Sequence, residues 1–300
     1  MGTPRHVLEV DDLSPDELRH VLDLSELTDP PQVLAGRGVV LLFEKPSART
    51  RASMELATIQ LGGHPVTLRH EEVGIDTRES AEDLARLFSG YGAAIGARVF
   101  EHHKVERLAA AASVPVVNLL SDEAHPVQTL ADLLTIRQSL GRLEGVVVTY
   151  VGDANNVARS LAIGCASLGL PFRVTSPPGF AFSDEDLDRI GAVGGTLEVV
   201  DDPVRAVTGA DVVYTDAWYS MGQEAERAAR LDAFAGWRVD EALLSAAATD
   251  AVFLHCLPAH RGEEATDGVL DGPQSRIWPQ AHNRMHTARG LLSFLVGEGS

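Results

Sequence analysis

The sequence predicts an α/β protein made of two doubly wound, parallel-sheet domains. Its 300 residues exceed what one hydrophobic core usually organises. Apolar runs of strand length alternate with helix-length segments, and this alternation restarts at Val146. Because consecutive parallel strands need a crossover of helix length, this rhythm indicates one parallel sheet in each half.

The first half opens with a helix. Ser14 and Glu17 form a capping box, and Pro15 occupies the first helical position. Apolar runs beyond it predict strands at 39–43, 93–95 and 114–119. Composition favours helices at 52–61, 81–89 and 105–112.

The second half repeats the pattern with strands at 146–151, 172–175, 196–200, 212–215 and 251–254. A helix beginning at Pro126 is expected to end near Gly141. We therefore predict a first domain at 1–137 and a second at 138–300. The helical segment 278–296 has no strand after it, so it could pack on either domain.

Composition excludes several classes of partner. The net charge of −18 repels nucleic-acid phosphates and anionic lipids, so neither nucleic acid nor a membrane is an expected partner. No apolar run approaches the ~18 residues that a membrane span needs. The two cysteines lack CxxC spacing and the N-terminus lacks a secretory apolar core, which predicts a cytoplasmic protein.

Residues 43–55 connect a predicted strand to a helix N-terminus. Unpaired N–H groups at that terminus, the hydroxyls of Ser47 and Thr50 and the guanidinium of Arg49 could together bind a phosphate. The competing interpretation makes Ser47 a helix cap and Arg49 and Arg51 solvated charges.

His125-Pro-Val-Gln128 lies at another helix start. Proline at the first turn places His125 at the cap and Gln128 one turn on, where they could hold a small polar group such as a carbamoyl. A histidine that only caps the helix explains the tetrapeptide equally simply.

Three further polar segments follow strands of the second half, at 152–157, 216–224 and 255–262. Ligands bind at such strand ends in open α/β sheets, although turn formation or an exposed loop could explain the first two. His255, Cys256 and His260 suggest zinc, but no second CxxC or HxxxH completes a ligand set, so no metal is predicted. A catalytic Cys/His pair stays open.

These five segments, in this order, resemble the aspartate/ornithine carbamoyltransferase family, and most closely its ornithine branch. The resemblance covers nearly the whole chain. It implies two-domain α/β subunits with the active site in the cleft between the domains, assembled as a homotrimer or a higher assembly of trimers. The implied substrates are carbamoyl phosphate and L-ornithine, and no cofactor is implied. The implied pathway is arginine biosynthesis. Whether flux is biosynthetic or degradative stays open.

The resemblance also implies roles for individual residues. Those implied to bind carbamoyl phosphate are Ser47, Ala48, Arg49, Thr50, Arg98, His125, Gln128, Cys256, Leu257 and Arg284. Those implied to bind ornithine are Asn156, Asp216, Ser220 and Met221. The implied catalytic residues are Arg98, His125, Asp216 and Cys256, and the Leu257–Pro258 bond is expected to be cis.

The chain departs from the family pattern at two positions. The usual Ser-Thr-Arg-Thr reads Ser47-Ala-Arg-Thr50, which removes one hydroxyl from the phosphate loop while a backbone N–H at Ala48 remains. Gly74 stands where some relatives carry glutamine.

The substrate that accepts the carbamoyl group is less strongly indicated than carbamoyl phosphate, the substrate that donates it. Residues 216–224 contain two acids and no arginine, which favours an acceptor carrying an amine over aspartate. N-acetylornithine, putrescine and lysine stay open as acceptors. A dehydrogenase with its nucleotide on 152–157 is a weaker alternative, because the glycine spacing is absent, and a binding protein without turnover is a third.

Overall fold

The computed structural model describes residues 4–219 and 224–298. Contacts between Cα atoms divide the chain into two units. The first runs to Ala131 and takes up the chain again from His282, and the second comprises Asp132–Ala281. The division therefore falls within two helices.

The first unit is a parallel four-stranded sheet in the order β2-β1-β3-β4. Its elements are α1 (Pro15–Ser25), β1 (Gly38–Phe43), α2 (Ala48–Gln60), β2 (His64–Arg69), α3 (His70–Val73), α4 (Ala81–Ser89), β3 (Ala94–Arg98), α5 (His102–Ala111), β4 (Val116–Leu120) and the start of α6 (Pro126–Leu140).

One core of this unit lies between the sheet and helices α4 and α5. Leu84 and Phe88 of α4 and Leu108 of α5 pack there against Val40 and Ile95 of the strands. These helical positions recur at three- and four-residue spacing, so each helix turns one apolar stripe to the sheet.

The second unit is a parallel five-stranded sheet in the order β7-β6-β5-β8-β9. Its elements are β5 (Val148–Val151), α7 (Asn156–Leu168), β6 (Phe172–Thr175), α8 (Asp184–Val193), β7 (Leu197–Val199), α9 (Pro203–Val207), β8 (Val212–Thr215), α10 (Arg227–Ala233), α11 (Glu241–Leu244), β9 (Val252–His255), α12 (Asp267–Leu270) and the start of α13 (Ile277–Ser293), most of which belongs to the first unit.

The predicted α/β class with two parallel sheets is confirmed, and the capping box of α1 is present as expected. Strand β2 was not predicted, because its side chains alternate between exposed and half-buried and form no apolar run. Helix α2 begins at Ala48, four residues before the predicted start, since Ser47 serves as its cap.

The compact units differ from the predicted domains in two places. They divide at 131 and 132 rather than at 137 and 138, and the chain from His282 onward belongs to the first unit rather than to the second. Arg289 shows why: its guanidinium donates to the carbonyl oxygens of Ser25 and Leu27. The predicted limits stay predictions for substrate-binding domains, which need not coincide with compact units.

Among residues 4–219 and 224–298, no helix is both long enough and apolar enough to cross a bilayer.

Candidate functional site

The first group of predicted site residues lies where the strand order of the first sheet reverses. Strands β1 and β3 are neighbours with Phe43 paired to Arg98, and the Glu44 N–H continues the pairing by donating to the Arg98 carbonyl at 2.9 Å. Ligands of open α/β sheets bind outside the carboxyl ends of strands at such a reversal. The loop that leads to α2 therefore begins beside Arg98.

Thr50 is the centre of this group. It is 1% exposed, and its hydroxyl oxygen lies 3.4 Å from Nη1 of Arg98 and 3.2 Å from Nη2 of Arg284. Arg284 also donates from Nη1 to Oε1 of Gln128 at 2.6 Å. Four residues from β3, α2, α6 and α13 thus form one connected hydrogen-bond network.

Positive charge dominates this group. Burial, and then the neighbouring charges of Arg284 and Arg49, lower the pKa of Arg98 to about 10, so its guanidinium stays protonated at neutral pH. The Nε of Arg98 is buried and has no hydrogen-bond partner within the described residues. A buried donor beside several cations suits an anion with several acceptor oxygens.

His125 lies in the same positive electrostatic field but is itself uncharged. Burial, and then the charges of Arg284, Arg98, Lys45 and Arg49, lower its pKa well below the usual value of 6.5. The imidazole is therefore uncharged at neutral pH and can exchange a hydrogen bond with a polar ligand without adding charge.

The start of α2 combines both sequence interpretations. Ser47 caps the helix, its hydroxyl accepting from the Thr50 N–H at 3.3 Å, and Arg51 is an ordinary surface residue paired with Glu55 at 2.7 Å. Ala48 is the first helical residue, so its N–H has no acceptor within the helix. Arg49 is exposed and contributes to the field at Arg98.

The second group lies at the reversal of strand order in the second sheet, where β5 neighbours β8. Asp216 follows β8, and its Oδ1 accepts from the Cys256 thiol at 2.8 Å while its Oδ2 accepts from Nδ2 of Asn155 at 3.1 Å. Three strand ends, β5, β8 and β9, therefore converge on one half-buried carboxylate.

Asn155, a residue that the sequence analysis did not single out, contacts Asp216. Its side-chain oxygen accepts from the N–H groups of Val157 and Ala158 and so caps α7, while Asn156 is the first helical residue. The preference of asparagine for the position before a helix was the signal available in the sequence. The predicted ligands Ser220 and Met221 lie outside the described residues.

The segment after β9 is fixed by hydrogen bonds. The Leu257 N–H donates to Nδ1 of His255 at 2.9 Å, and Nε2 of His255 donates to the buried Glu264 at 3.1 Å. The Leu257–Pro258 peptide bond is cis, as expected, and Leu257 has a φ of 60°. Cys256 and Leu257 belong to the second unit.

Asp216, His255 and Cys256 bring three metal-ligating atoms within 4.8 Å of one another. Hydrogen bonds account for this cluster, however, because both ring nitrogens of His255 are engaged and the thiol donates to Asp216. These three residues therefore do not need a metal ion to explain their arrangement.

Two family models together match almost all of the chain. Residues 5–138 match the carbamoyl-P binding domain of aspartate/ornithine carbamoyltransferase, and residues 144–295 match the Asp/Orn binding domain of the same family.

Similar proteins match over their full length. The ornithine carbamoyltransferase of Acidothermus cellulolyticus is 52% identical over 97% of this chain and 96% of its own, and that of Haloquadratum walsbyi is 46% identical over 99% and 100%. Among solved structures, the ornithine carbamoyltransferase of Pyrococcus furiosus has a TM-score of 0.93 at 42% identity and covers 98% of each chain.

Proposed function

The chain belongs to the aspartate/ornithine carbamoyltransferase family, and from this premise we propose that it transfers the carbamoyl group of carbamoyl phosphate to the δ-amine of L-ornithine. The products are L-citrulline and phosphate. It is a carbamoyl-group transferase, and the full-length match to several ornithine carbamoyltransferases supports ornithine over other acceptors.

The observation that carries this proposal is the network of Arg98 and Arg284 around the Thr50 hydroxyl, at the N-terminus of α2. In the proposal, the phosphate of carbamoyl phosphate binds to the first turn of α2, which supplies N–H groups without an acceptor inside the helix and the positive end of the helix dipole. Ser47, Ala48 and Arg49 contact the phosphate there.

The carbamoyl end contacts the buried polar side chains of the network. Arg98 and Thr50 donate to its oxygen, and neutral His125 and Gln128 bind its oxygen and amide. Arg284 reaches the ligand while it orients Gln128, to which it donates at 2.6 Å. Cys256 and Leu257 contact the same end.

Asp216 is proposed to bind the α-ammonium of ornithine, and Asn156, Ser220 and Met221 complete the acceptor site. Asn155 and the Cys256 thiol, both on Asp216, hold the carboxylate in position. Because the thiol donates to Asp216, it does not add a negative charge that would favour the protonated δ-amine.

Reaction requires an uncharged δ-amine. A lysine-like amine has a pKa of about 10.4, so deprotonation at pH 7 costs roughly 4 to 5 kcal/mol. The amine attacks the carbamoyl carbon, and the C–N bond forms as a tetrahedral intermediate in which Arg98, His125 and Thr50 stabilise the oxyanion. The C–O bond to phosphate then breaks, and the leaving phosphate takes the amine proton.

A nucleotide-dependent dehydrogenase is disfavoured by the second unit. The side chain of Asn155 occupies the N-terminus of α7, where the pyrophosphate of a dinucleotide would bind.

The test is an assay of the purified chain with carbamoyl phosphate and, separately, ornithine, N-acetylornithine, putrescine, lysine and aspartate. We expect ureido product with ornithine at a kcat/KM at least about 100-fold above that for any other amine, a difference of about 2.7 kcal/mol. Equal or better use of another amine would contradict the acceptor assignment. Phosphate binding without any product would favour a binding protein.

Assembly, location and pathway extend the proposal. We propose a homotrimer or a higher assembly of trimers, so sedimentation should give a multiple of three times the 32.1 kDa chain mass. Free thiols at Cys165 and Cys256 support a cytoplasmic location. We propose that citrulline formation serves arginine biosynthesis. The test is whether the chain restores growth of an arginine auxotroph that lacks its own carbamoyltransferase.

A further inference from the structure

A second cluster of ligand-type atoms lies in the loop between β9 and α12. One ring nitrogen of His260 and one carboxylate oxygen each of Glu263 and Glu264 lie within 4.8 Å of one another. Atoms bound to one ion at about 2.0–2.2 Å lie at most about 4.4 Å from each other, so this cluster is close to the size that a shared ion requires. His260 Nδ1 and Glu264 Oε2 are 3.8 Å apart, too far for a hydrogen bond between them.

Each of these three side chains has one buried atom that has no hydrogen-bond partner within the described residues: Nδ1 of His260, Oε2 of Glu263 and Oε2 of Glu264. Glu264 is 0% exposed. Buried polar atoms are normally satisfied, so three such atoms in one place need a common explanation.

The other atoms of these side chains are engaged and orient the group. Glu264 Oε1 accepts from Nε2 of His255 at 3.1 Å and from the His260 N–H at 2.5 Å. Glu263 Oε1 pairs with Arg227. The His260 ring stacks on Tyr219 with centroids 4.4 Å apart and an interplanar angle of 8°. These contacts preorganise the three remaining atoms.

We propose that His260, Glu263 and Glu264 bind a divalent transition-metal ion such as Zn²⁺. Imidazole nitrogen and carboxylate oxygen are both zinc ligands, and three of them leave one position of a tetrahedral site for water. The imidazole disfavours Mg²⁺ and Ca²⁺, which prefer oxygen alone. The two carboxylates supply negative charge to the ion, although Glu263 shares its charge with Arg227.

This site is separate from the proposed transfer chemistry. The sequence argument against zinc considered His255, Cys256 and His260, whereas the structure groups His260 with the two glutamates that follow it. Glu264 accepts a hydrogen bond from His255, and His255 accepts one from the Leu257 N–H. An ion bound to Glu264, Glu263 and His260 would therefore connect this hydrogen-bonded chain to the rest of the loop between β9 and α12.

Equilibrium dialysis of the chelator-treated chain against Zn²⁺, with metal analysis, tests the proposal. We expect one Zn²⁺ per chain, and we expect Cys256→Ser to retain it, since no thiolate takes part. His260→Gln and Glu263→Gln should each weaken binding at least about 10-fold. His103→Gln is the matched control, because His103 is an exposed histidine beside a glutamate, with Glu101 at 3.4 Å.

Glu263→Gln decides the question if His260→Gln does not fold, and thermal unfolding without metal shows whether each variant is intact. Absence of Zn²⁺ binding would overturn the proposal and leave water as the partner of the three atoms. Loss of binding in Cys256→Ser, or wild-type binding in Glu263→Gln, would assign the ion to another site.

Discussion

Arg98 and Arg51 have the same side chain and opposite environments. Arg98 is buried among other cations with its Nε unpartnered, whereas Arg51 is half-exposed and paired with Glu55. Burial makes the difference, because a donor in a low-dielectric site keeps its full strength for a ligand while an exposed donor is solvated. At the residue scale, only the buried group is therefore expected to contribute to catalysis.

Replacing Arg98 with glutamine should lower kcat about 10²- to 10³-fold, the usual effect of removing one oxyanion donor. Arg51→Gln is the matched control and should leave kcat within about twofold. Steady-state kinetics with saturating ornithine measures both. Similar kcat values for the two variants would show that Arg98 does not stabilise the transition state.

His125 should make the protein less stable in acid. Its pKa is lowered in the folded chain, so between the folded-state pKa and 6.5 the unfolded chain binds more protons. The stabilising effect of the neutral ring is therefore complete above pH 6.5 and is lost as the pH falls below it, by at most about 1.4 kcal/mol per pH unit.

Thermal unfolding of wild type and His125→Gln between pH 7.5 and 5 measures this effect. We expect the melting temperature of wild type to fall more steeply with acid than that of the variant. His6 and His286, whose pKa values are also lowered, remain in both chains and do not affect the comparison. Parallel curves would mean that His125 does not titrate as described.

At the scale of the elements, each of the two groups of candidate site residues includes the start of a helix that follows a strand. Ser47 caps α2 and Asn155 caps α7, and in both cases the capping side chain accepts from N–H groups of the first turn, which have no acceptor within the helix. Asn155 has a second role, since its amide also donates to Asp216. In the proposed function, Asn155 is therefore a positioning residue for the ornithine site.

Asn155→Ala should cost about 1 kcal/mol of stability through the lost cap and should also raise the KM for ornithine. Ser183→Ala is the control, because Ser183 caps α8 through the Asp186 N–H and has no contact with Asp216. We expect a similar stability loss and an unchanged KM in the control. An unchanged KM in Asn155→Ala would reduce its role to capping.

Helix α13 packs closely on α1 through Gly290. A Cβ placed there would lie 2.6 Å from the Val21 carbonyl oxygen and 2.9 Å from the Ser25 nitrogen, both backbone atoms that cannot move alone. Gly290→Ala should therefore destabilise the chain by about 1–3 kcal/mol. Gly191→Ala, in α8 with nothing within 4 Å, should stabilise it by about 0.4–1 kcal/mol. Denaturant unfolding measures the free energy of unfolding and so distinguishes the expected decrease in Gly290→Ala from the expected increase in Gly191→Ala.

At the scale of the whole molecule, a chain of net charge −18 concentrates buried cations in one place. Arg98 and Arg284 meet at Thr50 although they lie far apart in the sequence, and their charges add to burial in lowering the pKa of His125. Repulsion among these cations is relieved when an anion binds. Anion binding should therefore be coupled to stability.

Inorganic phosphate should raise the melting temperature, by the equivalent of about 2.7 kcal/mol at 100 times its Kd. Arg98→Gln should lose most of this shift, whereas Arg51→Gln should keep it. Chloride at equal ionic strength controls for screening. A shift of equal size in Arg98→Gln would place phosphate elsewhere on the chain.

The sequence by itself determined the two parallel α/β halves and the segments that carry the site. Apolar runs mark buried strands, and the polar segments that follow them must emerge at the carboxyl edge of a parallel sheet. His125 and Gln128 were predictable for the same reason, since a proline marks the helix start between them.

Only the tertiary structure decided which side chains meet. Asn155 donates to Asp216, Arg284 donates to Gln128 far along the chain, and His260 lies beside two glutamates. Such pairings depend on strand order and on the packing of distant helices. Local pattern does not contain that information, because residues adjacent in sequence can turn to opposite faces while distant ones converge.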